Sequence, residues 1–598
     1  MRNSEAQRYA RWSAAVAILL AVVVVGVYLR RVWLAKQAEK KAPPAVPATV
    51  EQRSAEFSFS KVEGQRTIYT VRASHTTEFK EGSRNLLEDV SITVYGKKGE
   101  RNDTLRTRAC DFISSTGKVG CAGEVQFNLQ GSSPLNTTAN SIQVVTSNIS
   151  FDRNSGVAQT DRPVTFHWPA GEGRAVGVQY DSNTGMLLLS RSVEMTLMVS
   201  APAIPQGTEA AQDKTVHLAG DSMVFHREAR TVQVLGAVHV RQSTHELAAE
   251  SLLLELDTSF HAKHLVASGQ AHIHDTALQG PIELAADEIS AGLTPEGSVE
   301  SIIARGRVHG SRSGPAGEDG IEAERVEMDL TTHQNVPRLL TADGGVILTS
   351  TSATAGGGTR RVESKALEVH FSNSSGPGKT LIESMNTLAP ANIWWQNIAT
   401  ANGKPSKQTM RMRGRQINLQ FGGQNQLQQL VSSGDVEVTR QVADGLEQTT
   451  TSRELTANFT DADEWSTIDQ TGDVHFREGP RTGQGDRAHL DRATNTVTLT
   501  GSVVLADATM RTTARSAIFT QNSGELRADG NVVTTELRAG TGSPANLAPA
   551  PAHILAEHLI ADTARGRAIY SGGGRLWQGD SVIEADTVEL DNPSHVLM

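Results

Sequence analysis

An all-β fold is predicted by three observations. Glycine is abundant (53 residues) while aromatics make up only 5% of the chain. Val, Thr and Leu run throughout in short alternating stretches, and no long amphipathic helical periodicity follows residue 50. A short pattern also recurs, in which a mid-strand glycine is flanked at the second and fourth positions on both sides by mostly apolar residues. It reads Val232, Val234, Gly236, Val238, Val240 and again Val497, Leu499, Gly501, Val503, Leu505. Further copies are Leu265, Ala267, Gly269, Ala271, Ile273; Leu340, Ala342, Gly344, Val346, Leu348; and Leu526, Ala528, Gly530, Val532. Looser copies centre on Gly123, Gly306, Gly434 (followed by Val436 and Val438) and Gly472. Most neighbouring glycines lie roughly 30 to 40 residues apart, the sign of a repeat architecture. Strand side chains alternate, so even offsets share one face. That face is apolar with a gap at its centre, and it is either a packed core or a groove.

The elements follow in chain order. Residues 1–11 form a short N-terminus expected in the cytoplasm. Residues 12–34 read as one membrane-spanning helix: no charge occurs from Trp12 to Leu29, and Trp12, Tyr28 and Trp33 suit interfacial depths. A cleaved signal peptide is the rival, and Arg30-Arg31 stands where a small-residue cleavage site belongs. The flanking charges alone would keep the body in the cytoplasm. A β-rich body with paired cysteines instead favours export, so the protein is expected in the inner membrane as a single-pass chain with its body in the periplasm. Residues 35–52, rich in Pro, Ala and Lys, form a stiff linker.

The first unit is expected at 53–200. It opens with a hairpin through Gly64 to Ala73 whose inward face is ambiguous, and continues through Leu87 to Tyr95. Cys110 and Cys121 then flank the turn Ser115-Thr116-Gly117-Lys118 and face each other if a hairpin forms, giving a disulfide in an oxidising compartment or two buried thiols. A Pro- and Ala-rich break at 201–207 opens the second unit (201–390). The pattern lapses between Pro390 and Pro405, which sets the third unit at 391–598, with a long loop from Ala539 to Pro551. Each repeat reads as two short strands, and such hairpins must stack into a solenoid or twisted jelly roll to bury a face.

Composition excludes several functions. The net charge of −10 carries no basic stripe, which disfavours nucleic acid. The two cysteines exclude a disulfide scaffold and a cysteine zinc site. His272 and His274 share a strand face opposite Gly269 and Ile273 without a third ligand, so no metal and no cofactor is expected. Trp394-Trp395 is read as packing beneath a loop or as a partner anchor. No phosphate loop, nucleophile elbow or HExxH motif occurs, and the chain is not expected to be an enzyme.

The element running from Gly220-Asp221 through a turn to Val240, and its copy from Gly485-Asp486 to Leu505, resemble the OstA-like repeat. The single span followed by the Gly64–Ala73 hairpin and by Leu86 to Val94 is similar to the LptC arrangement. Together they resemble the LptC and LptA (OstA-like) bridge proteins of lipopolysaccharide transport, as an LptC-like head fused to LptA-like repeats. That resemblance implies open, twisted jelly rolls that join end to end and carry lipopolysaccharide across the periplasm. The partners it implies are lipopolysaccharide, an ATP-driven inner-membrane transporter met through the N-terminal helix, and another jelly-roll bridge or an outer-membrane assembly protein. The expected lining is Val232, Val234, Val238, Val240, Leu265, Ile273, Leu340, Val346, Leu348, Val436, Val438, Val497, Leu499, Val503 and Leu505. The glycines Gly236, Gly269, Gly306, Gly344, Gly434, Gly472, Gly501 and Gly530 are expected to keep the groove hollow, and Val238→Arg to block it. The alternatives are a surface solenoid with a filled core and no lipid cargo, and a solenoid polysaccharide-active enzyme with a cleft of clustered carboxylates.

Overall fold

The computed structural model describes residues 20–34 and 50–598, apart from 81–82, 97–101, 130–140, 169–170, 199–214, 259–260, 277–279, 296, 315–316, 332–335, 353–357, 373–380, 402–403, 424, 443–444, 461–463, 537–550, 563–564 and 592–595. A helix covers 20–34; among the described residues no helix is long and apolar enough to cross a membrane. The first part of the expected span, most of the linker, the break at 201–207 and nearly all of the 539–551 loop lie outside the described residues.

All the other regular elements among the described residues are strands. The first stretch holds β1 (Val50–Glu63), β2 (Arg66–Phe79), β3 (Arg84–Tyr95), β4 (Asn102–Ile113), β5 (Lys118–Leu129), β6 (Ile142–Asp152), β7 (Val157–Trp168), β8 (Gly171–Asp181) and β9 (Met186–Met198). The middle holds β10 (Thr215–Gly220), β11 (Ser222–His226), β12 (Thr231–Gln242), β13 (His245–Leu256), β14 (Ala262–Asp275), β15 (Ile282–Leu293), β16 (Val299–Gly314), β17 (Gly317–Leu330), β18 (Pro337–Ser352), β19 (Thr359–Phe371), β20 (Ile382–Thr387), β21 (Ala391–Ala401), β22 (Lys404–Gly414) and β23 (Gln416–Phe421). The last stretch holds β24 (Leu427–Val442), β25 (Gln448–Phe459), β26 (Trp465–Glu478), β27 (Arg481–Asp491), β28 (Thr496–Ala506), β29 (Met510–Thr520), β30 (Glu525–Glu536), β31 (Ala552–Asp562), β32 (Arg567–Gln578), β33 (Ser581–Asp591) and β34 (Val596–Leu597).

These strands form one antiparallel sheet in which each rank pairs with the next. The pairing crosses both expected unit boundaries: β9 pairs with β10 and β11, and β19 pairs with β20 and β21. Three ranks are broken in two. β10 and β11 part at Asp221, β20 and β21 at residues 388–390, and β22 and β23 at Arg415, yet both halves keep the same neighbours. The lapse of the glycine pattern near Pro390 therefore marks an interrupted rank inside the sheet. Trp394 and Trp395 lie on strand β21 rather than beneath a loop.

The sheet folds because its strands bend. In β12, Gly236 (φ 75°) and Ala237 (φ 42°) are both left-handed, and together they oppose the single residue Glu250 of β13. Two residues against one is a β-bulge, which kinks the strand and increases its twist. The same shift recurs on every second rank, as at Ser268/Ala271, Arg305/Val308, Asp343/Val346, Ser433/Val436, Thr471/Val474, Thr500/Val503 and Asp529/Val532. A line of bulges thus creases the ribbon into two arms with the apolar face inside.

Contacts between non-neighbouring strands close the first stretch. The Tyr69 ring (β2) meets Phe151 (β6) edge-on at 5.3 Å, and its hydroxyl donates to the Arg153 carbonyl at 2.9 Å. The opening hairpin, ambiguous in sequence, buries Ile68, Tyr69, Val71 and Ala73. Cys110 and Cys121 are buried and joined by a disulfide between β4 and β5.

Candidate lipid-binding trough

The crease orders the apolar residues by depth. Val234, Val238, Val346, Val436, Leu499 and Val503 flank the bulges directly and are buried. Val232, Val240, Leu265, Ile273, Leu340, Leu348, Val438, Val497 and Leu505 stand one step further along the arms, on the same face, and are only half-buried. The inside is therefore solid at its vertex and apolar but accessible along its arms. Strands without the glycine pattern contribute equally: Leu247 and Leu252 on β13, Leu284 and Ile289 on β15, and Ile321 and Val326 on β17 share this face. Their signal in the sequence is a small residue, a polar or charged one and then alternation ahead of most glycine copies, as in Ala285-Ala286-Asp287-Glu288-Ile289.

The glycines do not line the trough. A Cβ on Gly236 would strike the Asp221 carboxylate, and one on Gly501 would strike Asp486. The corresponding neighbours are Glu250 for Gly269, Asp287 for Gly306, Glu324 for Gly344, Arg415 for Gly434, Arg453 for Gly472 and Arg515 for Gly530. Most of these charged side chains are exposed, so the missing side chains point outward at the crease. Glycine is required there by its left-handed backbone and by the adjacent strand. The Asp221 N–H donates to the carbonyls of both Leu235 (3.0 Å) and Gly236 (2.9 Å), and the Arg415 N–H does the same with Ser433 and Gly434. The expectation that these glycines keep a lumen hollow is corrected on this geometry. Val238→Arg likewise loses its value as a blocking variant, because Val238 is fully buried and a charge there has nowhere to go.

Residues 14–198 match the family model described as LptC: Lipopolysaccharide-assembly, LptC-related. The head is LptC-like. The match covers less than half of the chain, and no curated protein matches it. The core of this LptC-like head also holds a buried polar group. Asp103 of β4 accepts from Tyr180 of β8 at 2.8 Å and pairs with Arg227, which follows β11 and lies beyond the matched segment. Ion-pair side chains exposed by only 5% and 2% make this a bond between head and body within the core. No feature of the sequence announces it.

Outside, a cleft of about 580 Å³ lies where the LptC-like head meets the body, lined by Thr165, His167, Glu172, Arg174, Glu194 and His217 among others. Its carboxylates have cross-strand partners: Glu194 pairs with Arg174, and Glu172 lies 3.3 Å from His167. His272 and His274 stack with ring centroids 6.5 Å apart, His274 lying 3.6 Å from Glu283. Among the described residues no group of three or more His, Cys, Asp or Glu could hold a metal.

Proposed function

We propose that this protein is an extracytoplasmic carrier of lipopolysaccharide, tethered to the inner membrane through residues 12–34, with acyl chains lying against the half-buried arms of the trough. The observation that carries this reading is the continuity of one sheet, and of its apolar inner face, from the LptC-like head into the body. An LptC-like head fused to LptA-like repeats accounts for that continuity. A lipid carrier must above all shield its cargo from water. Each exposed CH₂ costs about 0.8 kcal/mol, so an acyl chain of about a dozen carbons needs on the order of 10 kcal/mol of apolar cover.

About 30 strand ranks spaced ~4.8 Å apart give a ladder on the order of 150 Å, a length suited to bridging two membranes. β1 pairs only with β2, and β33 meets β34 at Leu590 and Asp591 alone, so both ends of the ladder offer strand edges among the described residues. Such edges accept strands of another β protein. In this reading the partners are the ATP-driven inner-membrane transporter at the anchor and a jelly-roll bridge or outer-membrane assembly protein at the far end. Energy is supplied by the transporter, since the chain carries no phosphate loop.

Photocrosslinkers placed at Val240, Leu340 and Leu505, which line the arms, should label lipopolysaccharide in cells. Crosslinkers at Gln233 and Thr498, on the opposite face, should not. Labelling only from the outward positions would overturn the reading in favour of a solenoid without lipid cargo.

A further inference from the structure

The apolar core of the ladder changes hands near β25 and β26. The buried core falls into two clusters, one running from Ile68 to Ala457 and the other from Val474 to Val588. Between them the vertex is polar. Ser432 stands where other ranks carry Val234, Ala267 or Leu499, and Gln470 stands likewise on β26. Both are buried, as is Ser452 on the strand between them, and Gln470 Nε2 donates to Thr450 Oγ1 at 3.0 Å.

The same ranks carry a cation on the inner lip. Reading the ladder across, Arg360 pairs with Trp395, Trp395 with Met410, Met410 with Arg440, and Arg440 with Gln448. Arg440 is half-buried, its Nε has no hydrogen-bond partner, and no ion pair to it occurs among the described residues. The nearest acid in its row, Glu478, is held by Gln448 at 2.7 Å and by Arg481 at 3.6 Å. The charge of a second guanidinium, Arg492, also acts on Arg440. Arg492 packs at the opening end of β26, 5.9 Å over the Trp465 ring and 2.9 Å from Glu464. Burial, and then the charge of Arg492, make the Arg440 guanidinium easier to deprotonate than usual. A half-buried cation beside another cation and without an acceptor is costly, and its deficit is an anion.

We propose that the polar cross-section at β24–β27 is a binding site for the phosphate of an acylated, phosphorylated glycolipid, with the unpaired Arg440 guanidinium holding it at the inner lip. This rests on the carrier reading above and extends it. Acyl chains lie along the apolar arms, and the headgroup is held at the lip beside Arg440. Arg440 is the specificity residue, and Trp395 and Met410 give its row an apolar shoulder.

The test uses the full-length protein in detergent with three probes: a bis-phosphorylated, hexa-acylated glucosamine disaccharide, the same lipid dephosphorylated, and inorganic phosphate. The wild type should bind the phosphorylated lipid about tenfold more tightly than the dephosphorylated one. Arg440→Gln should abolish that preference while leaving affinity for the dephosphorylated lipid within about twofold, and Arg440→Lys should keep part of it. An unchanged urea midpoint for Arg440→Gln verifies folding. Equal binding of both lipids by the wild type, or equal loss of both in Arg440→Gln, overturns the site but leaves the carrier reading intact. Phosphate binding that depends on Arg440, without binding of either lipid, sinks the carrier reading and keeps the anion site. Binding of no probe removes both.

Discussion

Single residues set the crease. Gly501 has φ 76° and backs onto Asp486, so Gly501→Ala forces an L side chain into the left-handed region at about 1–2 kcal/mol and also into the carboxylate. Amide hydrogen exchange in β27, β28 and β29 should accelerate, and Asp486→Ala in the same chain should restore part of the protection. Were this glycine a lumen wall, the substitution would leave exchange unchanged and weaken lipid binding alone. Buried tyrosines make a second residue-scale case. Burial pushes the hydroxyls of Tyr69 and Tyr570 up to about 12. The folded state then holds these protons after the unfolded chain has released them, so their contribution to stability is full below about pH 10 and is lost between pH 10 and 12. Ultraviolet titration should find Tyr69 and Tyr570 ionising late and together with unfolding; ordinary titration of both, assigned by Tyr69→Phe and Tyr570→Phe, would refute the burial.

Elements are placed by what each arm buries. Val346 sits against a bulge and is 1% exposed, whereas Leu348, two residues along, is half-buried. Val346→Arg should therefore prevent folding. Leu348→Arg should fold, with wild-type circular dichroism, and lose lipid crosslinking along its arm. The alternation of these residues was legible in the sequence, and so was their shared face. Their depth was not, because depth depends on where the strand bends relative to its neighbours. In the head, the 11-residue separation between Cys110 and Cys121 suggests that their disulfide contributes about 3 kcal/mol through the unfolded chain. Reductant, or the paired change Cys110→Ser with Cys121→Ser, should lower the melting temperature of the head and leave exchange in β24–β33 untouched.

At the scale of the molecule, head and body are one sheet fastened inside by Arg227. Arg227→Met leaves Asp103 buried without its cation and should cost about 3–5 kcal/mol, read as a lower urea midpoint; adding Asp103→Leu should recover most of it. A double variant as unstable as the single one would mean that the pair does not act as a unit. The all-β class, the repeat, the apolar face and the resemblance of the first 200 or so residues to a lipopolysaccharide-assembly family were all readable from the chain. Those properties follow from side-chain alternation and composition, which are local. It took the folded sheet to establish that the glycines turn outward, that a serine and a glutamine break the apolar vertex, and that an arginine 124 residues away closes on Asp103. A bulge adds one residue to a strand and reverses which way a side chain points, and which ranks meet across a folded sheet is fixed by the crease rather than by any residue's own preference.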